Sequence, residues 1–319
     1  MLIPIISLVS GFILLIWSAD AFTDNGAKIA NIFKISPLII GMLIFGFGTS
    51  VPEMLVSALA AFEDHPELAV GNAVGSNIFN IALVLGITAM ILPITVNKKI
   101  IRREWCFLIT YTLITGLLLL HKQDLSAMDG IILIILLVIF FWDTYKKSKE
   151  DKYKFENLSS SVDSSQKGKI WRKLFFALIF LLTSAQAIVF GATKLADYYH
   201  VSDLIIGLTF VALGTSLPEL AVSISSAIKK QHEMVVGNII GSNIFNTVAV
   251  LAIPSLISPL KVQEEVIKID YPVMLLLTLL LYLFFLLSPI TKLKDTLNRL
   301  EGFFLIIILG IYIYYRFLI

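Results

Sequence analysis

The chain has 319 residues, 57% of them hydrophobic and only 15% charged, with a mean hydropathy of +0.88. A water-soluble domain carries roughly 25% charged residues, so folding alone cannot hide this much apolar surface, and a lipid bilayer is the expected partner. A formal net charge of +2 gives no sign of a nucleic-acid surface, no protein partner is implied, and the single cysteine, Cys106, excludes an intramolecular disulfide or a cysteine-cluster metal site.

Apolar stretches of about 18 to 27 residues, long enough to cross a bilayer as helices, recur along the chain. The first, 2–22, lacks the basic start and cleavage site of a secretory leader and reads as a membrane helix. It is followed by 36–62, 68–93, 104–121 and 127–145. A segment rich in Lys, Asp, Glu and Ser then precedes 172–197, 202–228, 234–258, 270–288 and 302–319. The expected fold is an all-α integral membrane protein of about ten transmembrane helices. A first five-helix repeat occupies 1–145, a solvated linker 146–171 and a second five-helix repeat 172–319. Trp17, Trp105, Trp142 and Trp171 lie near span ends, where an interfacial aromatic belt is expected, and Asp20 also reads as interfacial. His65, His121, His200 and His232 are isolated near helix ends and receive no role.

Lys and Arg stay on the cytoplasmic side of a membrane. With the N-terminus outside and alternating spans, roughly 20 of the 25 basic residues face the cytoplasm. Both termini are therefore expected outside a cell membrane, with the linker 146–171 inside.

Ser36 to Leu85 aligns with Ser202 to Leu251 without a gap, and about half the positions are identical. The first copy reads GFGTSVPEMLVS, then GNAVGSNIFN; the second reads ALGTSLPELAVS, then GNIIGSNIFN. An odd number of spans per half makes the second copy cross in the opposite sense. Glu63-Asp64 of copy one aligns with Lys229-Lys230 of copy two, as inverted turns require.

Each GTS-x-PE segment lies near the middle of its span. Gly48 and Gly214 permit a helix break, Pro52 and Pro218 remove a backbone donor, and a new half-helix is expected from Thr49-Ser50 and Thr215-Ser216. Broken helices at this depth line cavities. Ser50-x-x-Glu53 and Ser216-x-x-Glu219 also match a capping box, so each Glu could simply cap its half-helix. Energy weighs against that: an acid near the bilayer centre costs about 2.5–3.5 kcal/mol on the lenient scale, and a cap returns only about 1 kcal/mol. No Lys or Arg lies at matching depth, so the pair requires a cation or protons. In the second motif, Gly71, Gly75, Gly237 and Gly241 are expected to let backbones approach closely. Ser76 and Asn80, and Ser242 and Asn246, share a helix face at i, i+4 spacing and are expected to face the acids. Hydroxyl, amide, carbonyl and carboxylate oxygens suit Ca2+, Na+ or Mg2+ rather than Zn2+ or Cu+, with the rigid octahedron of Mg2+ fitting less well than Ca2+.

The two motifs resemble the alpha repeats of the cation/calcium antiporter superfamily, in particular its prokaryotic sodium/calcium exchanger branch, and the ten-span layout extends the likeness over nearly the whole chain. The resemblance implies an inverted-repeat fold of ten helices and Ca2+ efflux driven by Na+ entry. It places the central acids on Glu53 and Glu219, and hydroxyl or backbone ligands on Thr49, Ser50, Ser76, Thr215, Ser216 and Ser242. Amide ligands fall on Asn80 and Asn246, and carbonyl ligands on Gly46 and Ala212. Some relatives, including potassium-dependent exchangers, carry Asp where this chain has Asn246, so potassium dependence is not expected and the site charge rests on the two Glu.

The expected mechanism is alternating access, in which Ca2+ and several Na+ compete for the same oxygens. No cofactor or enzymatic activity is expected, and the lack of a GxxxxGK[ST] loop disfavours an ATP-driven pump. A proton/calcium antiporter would use the same acids. A cation channel is a rival of another class, and an intramembrane aspartyl protease would need an Asp pair that the spans do not offer.

Overall fold

The structure, a computed structural model, describes residues 2–63, 66–95, 98–122, 124–155, 164–199, 212–287 and 296–318. Among the described residues, eight helices are long and apolar enough to cross a membrane. In chain order the helices are α1 (Leu2–Phe33), α2 (Pro37–Phe62), α3 (Leu68–Ile91), α4 (Lys98–Lys122) and α5 (Ala127–Phe155). They continue with α6 (Ser164–Tyr198), α7 (Leu217–Ile228), α8 (His232–Ile257), α9 (Val266–Phe285) and α10 (Arg299–Leu318). The 12-residue α7 follows a short helical turn, Ala212–Thr215, and the beginning of the span expected at 202–228 lies outside the described residues.

Several helices outrun the apolar stretches that announce them. α1 continues from the expected end at Phe22 through Phe33. Asp20, read as interfacial, and Asp24 pair with Lys229 Nζ at 2.7 and 2.5 Å. The polar stretch 146–171 is helical at both ends, since α5 runs to Phe155 and α6 begins at Ser164. Lys and Glu are good helix formers, so charge marks where the bilayer stops and leaves the helix intact.

α8 is the centre of the bundle. Every residue from Met234 to Ala252 is buried, including Asn238, Asn243, Asn246, Ser242 and Thr247, which marks a helix enclosed on all sides. α2 crosses it at backbone distance. A Cβ on Gly241 would lie 2.5 Å from the Met42 carbonyl oxygen, one on Gly46 would lie 2.7 Å from the Ser242 nitrogen, and one on Gly237 would strike the Leu38 carbonyl. The close approach expected of four glycines is thus found at Gly237 and Gly241. At Gly71 and Gly75 no described atom lies within 4 Å of the Cβ position, so nothing described packs there. The outer surface is apolar: Ile13, Leu117, Trp142 and Ile311 are all more than 60% exposed, as lipid contact demands.

Short links tie the periphery. β1 (Ile94–Thr95) pairs antiparallel with β4 (Thr296–Leu297), and β2 (Asp124–Leu125) with β3 (Leu260–Lys261). Buried Glu104 on α4 pairs with Lys147 on α5. Trp105 stacks on Tyr282 with ring centroids 4.2 Å apart and donates to the Thr278 carbonyl at 2.7 Å, so it joins α4 to α9 in addition to any interfacial role.

Candidate cation site

α2 is broken where the motif lies. Its first turn, Pro37–Ile40, widens into a π-helix over Gly41–Gly46, returns to α-helix over Phe47–Thr49, and breaks at Ser50, where φ is −84° and ψ is 0°. It resumes at Val51 with Pro52 in its first turn. The second copy repeats the break itself, with Ser216 at φ −89° and ψ 0° and a restart at Leu217. Gly48 is not itself the break; it stays helical, packed against Leu178. The proline decides the position, because Pro52 has no N–H for the Gly48 carbonyl and its ring crowds that oxygen. The capping box also fails to form: neither Ser50 nor Ser216 caps its half-helix, and both Oγ atoms are buried without partners. Both serines keep right-handed helical φ and ψ, whereas a capping side chain needs the extended backbone of a true N-cap.

Glu53 and Glu219 sit in the first turns of these half-helices, 1% and 0% exposed. The two carboxyl groups are electrostatic neighbours. Among the described residues, Glu53 Oε2 and both carboxylate oxygens of Glu219 have no hydrogen-bond partner. Thr49 lies beside the Glu219 carboxylate but donates to the Phe45 carbonyl at 2.9 Å. Thr49 Oγ1 is also 3.3 Å from Ser242 Oγ, which in turn donates to the Gly46 carbonyl at 3.3 Å. The structure therefore brings Thr49, Ser242 and the Gly46 carbonyl to the Glu219 side of the pair.

The remaining expected ligands are placed less completely. Asn80 and Asn246 are buried, and both polar atoms of each amide lack partners among the described residues. A second π-helix, Asn80–Leu85, starts at Asn80 itself. Ser76 is buried, with its Oγ 3.5 Å from Asn72 Oδ1. Thr215 is half-buried at the end of the turn Ala212–Thr215, and Ala212 begins that turn. The buried unpartnered oxygens are hydroxyl, amide and carboxylate, which together favour a hard cation.

Two further residues belong to this neighbourhood. Asn72 Nδ2 donates to the Glu53 carbonyl at 3.1 Å and to Ser57 Oγ at 2.9 Å. Asn238 Nδ2 donates to the Glu219 carbonyl at 3.3 Å and to Ser223 Oγ at 3.1 Å. Each amide ties a glutamate-bearing half-helix to the helix that carries the second motif. Their sequence signal is that Asn72 and Asn238, like Ser57 and Ser223, occupy matching positions in the two copies.

A buried acid pair in a broken-helix membrane bundle is the architecture of a transporter, and comparison with known proteins narrows the class. The structure of the sodium-calcium exchanger NCX_Mj soaked with zero Na+ and Ca2+ matches with a TM-score of 0.84 and 33% identity, covering 99% of each chain. Inner membrane protein YrbG of Escherichia coli (strain K12) is 38% identical over 286 residues, 88% of this chain and 88% of its own length. Sodium/calcium exchanger MaX1 of Methanosarcina acetivorans is 27% identical over 314 residues, 87% of this chain and 89% of its own. The sodium/calcium exchanger protein family matches residues 3–145 and 170–318. The chain belongs to the sodium/calcium exchanger family. It is a multi-span membrane transporter of the cation-antiporter class.

Proposed function

We propose that the chain exchanges Ca2+ for Na+ by alternating access, with both cations competing for one site between Glu53 and Glu219. The observation that carries this reading is the neighbouring pair of buried carboxylates whose oxygens lack partners among the described residues. Two acids without a base favour a cation as the missing partner. The ligand set is Glu53, Glu219, Thr49, Ser50, Ser76, Asn80, Thr215, Ser216, Ser242 and Asn246, with carbonyls of Gly46 and Ala212. The names of MaX1 and NCX_Mj, both sodium/calcium exchangers, support the choice of cargo.

The scaffold in this reading is ten helices in two inverted units, 1–145 and 172–319, joined by 146–171. Three features support it. The family matches the chain in two separate stretches. Asn72 and Asn238 make equivalent hydrogen bonds in the two copies. The strand pairs join 94–95 to 296–297 and 124–125 to 260–261. Alternation of ten spans puts the first pair on the cytoplasmic side with Lys229, and the second pair outside. Both termini then lie outside and the linker in the cytoplasm.

Proton coupling is the second reading, because neighbouring buried acids can release a metal by taking up protons in place of Na+. Ca2+ uptake into proteoliposomes, driven separately by a Na+ gradient and by a pH gradient, tests the proposal. Uptake under the Na+ gradient alone is the expected result. Uptake under the pH gradient alone would replace Na+ by H+, and single-channel current in place of saturable exchange would remove antiport.

A further inference from the structure

Away from the acid pair, a cleft of about 530 Å³ lies between α1 and α6. Its rim carries Lys28 from α1 and Lys169, Arg172 and Lys173 from α6; its wall includes Trp17 and Phe176. All four cations are exposed, and none has an acid partner among the described residues. The acids that also line the cleft, Asp20 and Asp24, are already occupied by Lys229. Counting Lys229, five cations face two acids, so the cleft keeps a net positive charge. Like charges held together in this way favour an anion between them.

The depth of the cleft says which kind of anion. Trp17 packs edge-to-face on Phe180 at 5.7 Å, and tryptophan at a span end marks the headgroup level of a membrane. Below the cations the two helices present Ile13, Ile16, Phe175 and Phe176 as exposed apolar surface. Cationic rim and apolar floor together match one molecule with a phosphate at one end and acyl chains at the other. Asn25 adds a second, independent mark. It lines the cleft, is 5% exposed, and spends its Nδ2 on the Ala21 carbonyl at 2.6 Å, leaving Oδ1 buried without a donor. A headgroup hydroxyl supplies that donor.

We propose that the α1–α6 cleft binds an anionic phospholipid with a hydroxyl-bearing headgroup, of the phosphatidylglycerol kind. Its phosphate sits among Lys28, Lys169, Arg172 and Lys173, its hydroxyl reaches Asn25, and its acyl chains lie along α1 and α6. Basic clefts between membrane helices are suited to anionic headgroups, with a Lys or Arg near the surface worth about 1 kcal/mol each.

The test uses the full-length protein in nanodiscs containing brominated lipids, which quench a nearby tryptophan. The Trp17 signal is the fluorescence lost in the Trp17→Phe variant. Brominated phosphatidylglycerol is expected to quench Trp17 at a lower mole fraction than brominated phosphatidylcholine. In Lys169→Gln/Arg172→Gln/Lys173→Gln, whose side chains are exposed, this preference falls by about fivefold per cation removed. Asn25→Leu is expected to erase the advantage of phosphatidylglycerol over phosphatidic acid while keeping the advantage of both over phosphatidylcholine. Equal quenching by anionic and neutral lipid in the native protein would overturn the proposal, as would an unchanged preference in the triple variant. Displacement by millimolar inorganic phosphate would assign the cleft to a free anion instead of a lipid.

Discussion

Among the described residues Glu219 keeps both carboxylate oxygens buried and unpartnered, and Glu53 keeps one, while Ser50 at the break keeps both of its own backbone bonds: its N–H reaches the Gly46 carbonyl and its carbonyl receives the Met54 N–H. Ser50's backbone is satisfied and the acids are not, which supports the proposed binding role over a purely structural one. Glu219→Gln preserves shape and removes charge. Ca2+ flux should fall by more than about 100-fold, equivalent to losing a charge-assisted contact of about 3 kcal/mol. The melting temperature in detergent should hold or rise, because an uncompensated buried charge is removed. A melting temperature that drops with the flux would make Glu219 a folding residue. Asn238→Ala and Asn72→Ala should act through position: each leaves a glutamate carbonyl and a serine hydroxyl without their donor. Half-saturation for Ca2+ should rise about tenfold, the size of one hydrogen bond at a buried site, with maximal flux much less affected. The acids were legible in sequence because the same costly residue recurs in both copies. Asn72 and Asn238 were not, since an amide in an apolar helix reads equally well as ligand, packing residue or brace. Ser50 carries a capping pattern that the energy of a buried acid argues against and that the backbone angles do not use.

Between elements, the tightest requirement is where α2 crosses α8. A methyl group on Gly241 would meet the Met42 backbone, which cannot rotate away as a side chain could. Gly241→Ala should therefore lower stability by about 1–3 kcal/mol, the range for an overpacked core. Gly310→Ala, with no described atom within 4 Å, should be nearly neutral. Thermal unfolding of the two variants in detergent compares them directly. The Glu104–Lys147 pair makes a second case. Lys147→Met should destabilise by about 3–5 kcal/mol by stranding a buried carboxylate, and adding Glu104→Gln should recover most of the loss. If the double variant is no more stable than the single one, the pair is not what holds α4 to α5. Helix existence was legible from apolar runs, and helix ends were not. α1 runs on past Asp20 and Asp24, which share Lys229, distant in sequence, as their ion-pair partner. The π-helical turns at Gly41–Gly46 and Asn80–Leu85 have no compositional mark, yet one leads into the break and the other starts at Asn80. Such turns commonly occur at functional sites.

For the molecule as a whole, the repeat is the strongest sequence signal. Identical Gly-Thr-Ser-x-Pro-Glu and Gly-Asn-x-x-Gly-Ser-Asn-Ile-Phe-Asn runs fix a relation between the halves that no propensity could supply. The inversion proposed above rests on span parity, and the two strand pairs mark where it can be tested. With Cys106→Ser as background, cysteines introduced at exposed Thr95 and at exposed Glu264 should react with a membrane-impermeant maleimide from opposite faces of sealed vesicles. Labelling of both from one face would break the parity. The central claim, that Ca2+ and Na+ share the oxygens around Glu53 and Glu219, is met most directly by equilibrium binding of radioactive Ca2+ to the purified protein. Native protein should bind Ca2+ saturably and release it as Na+ is added, and Glu53→Gln/Glu219→Gln should bind none. Undiminished Ca2+ binding by that double variant would contradict the account.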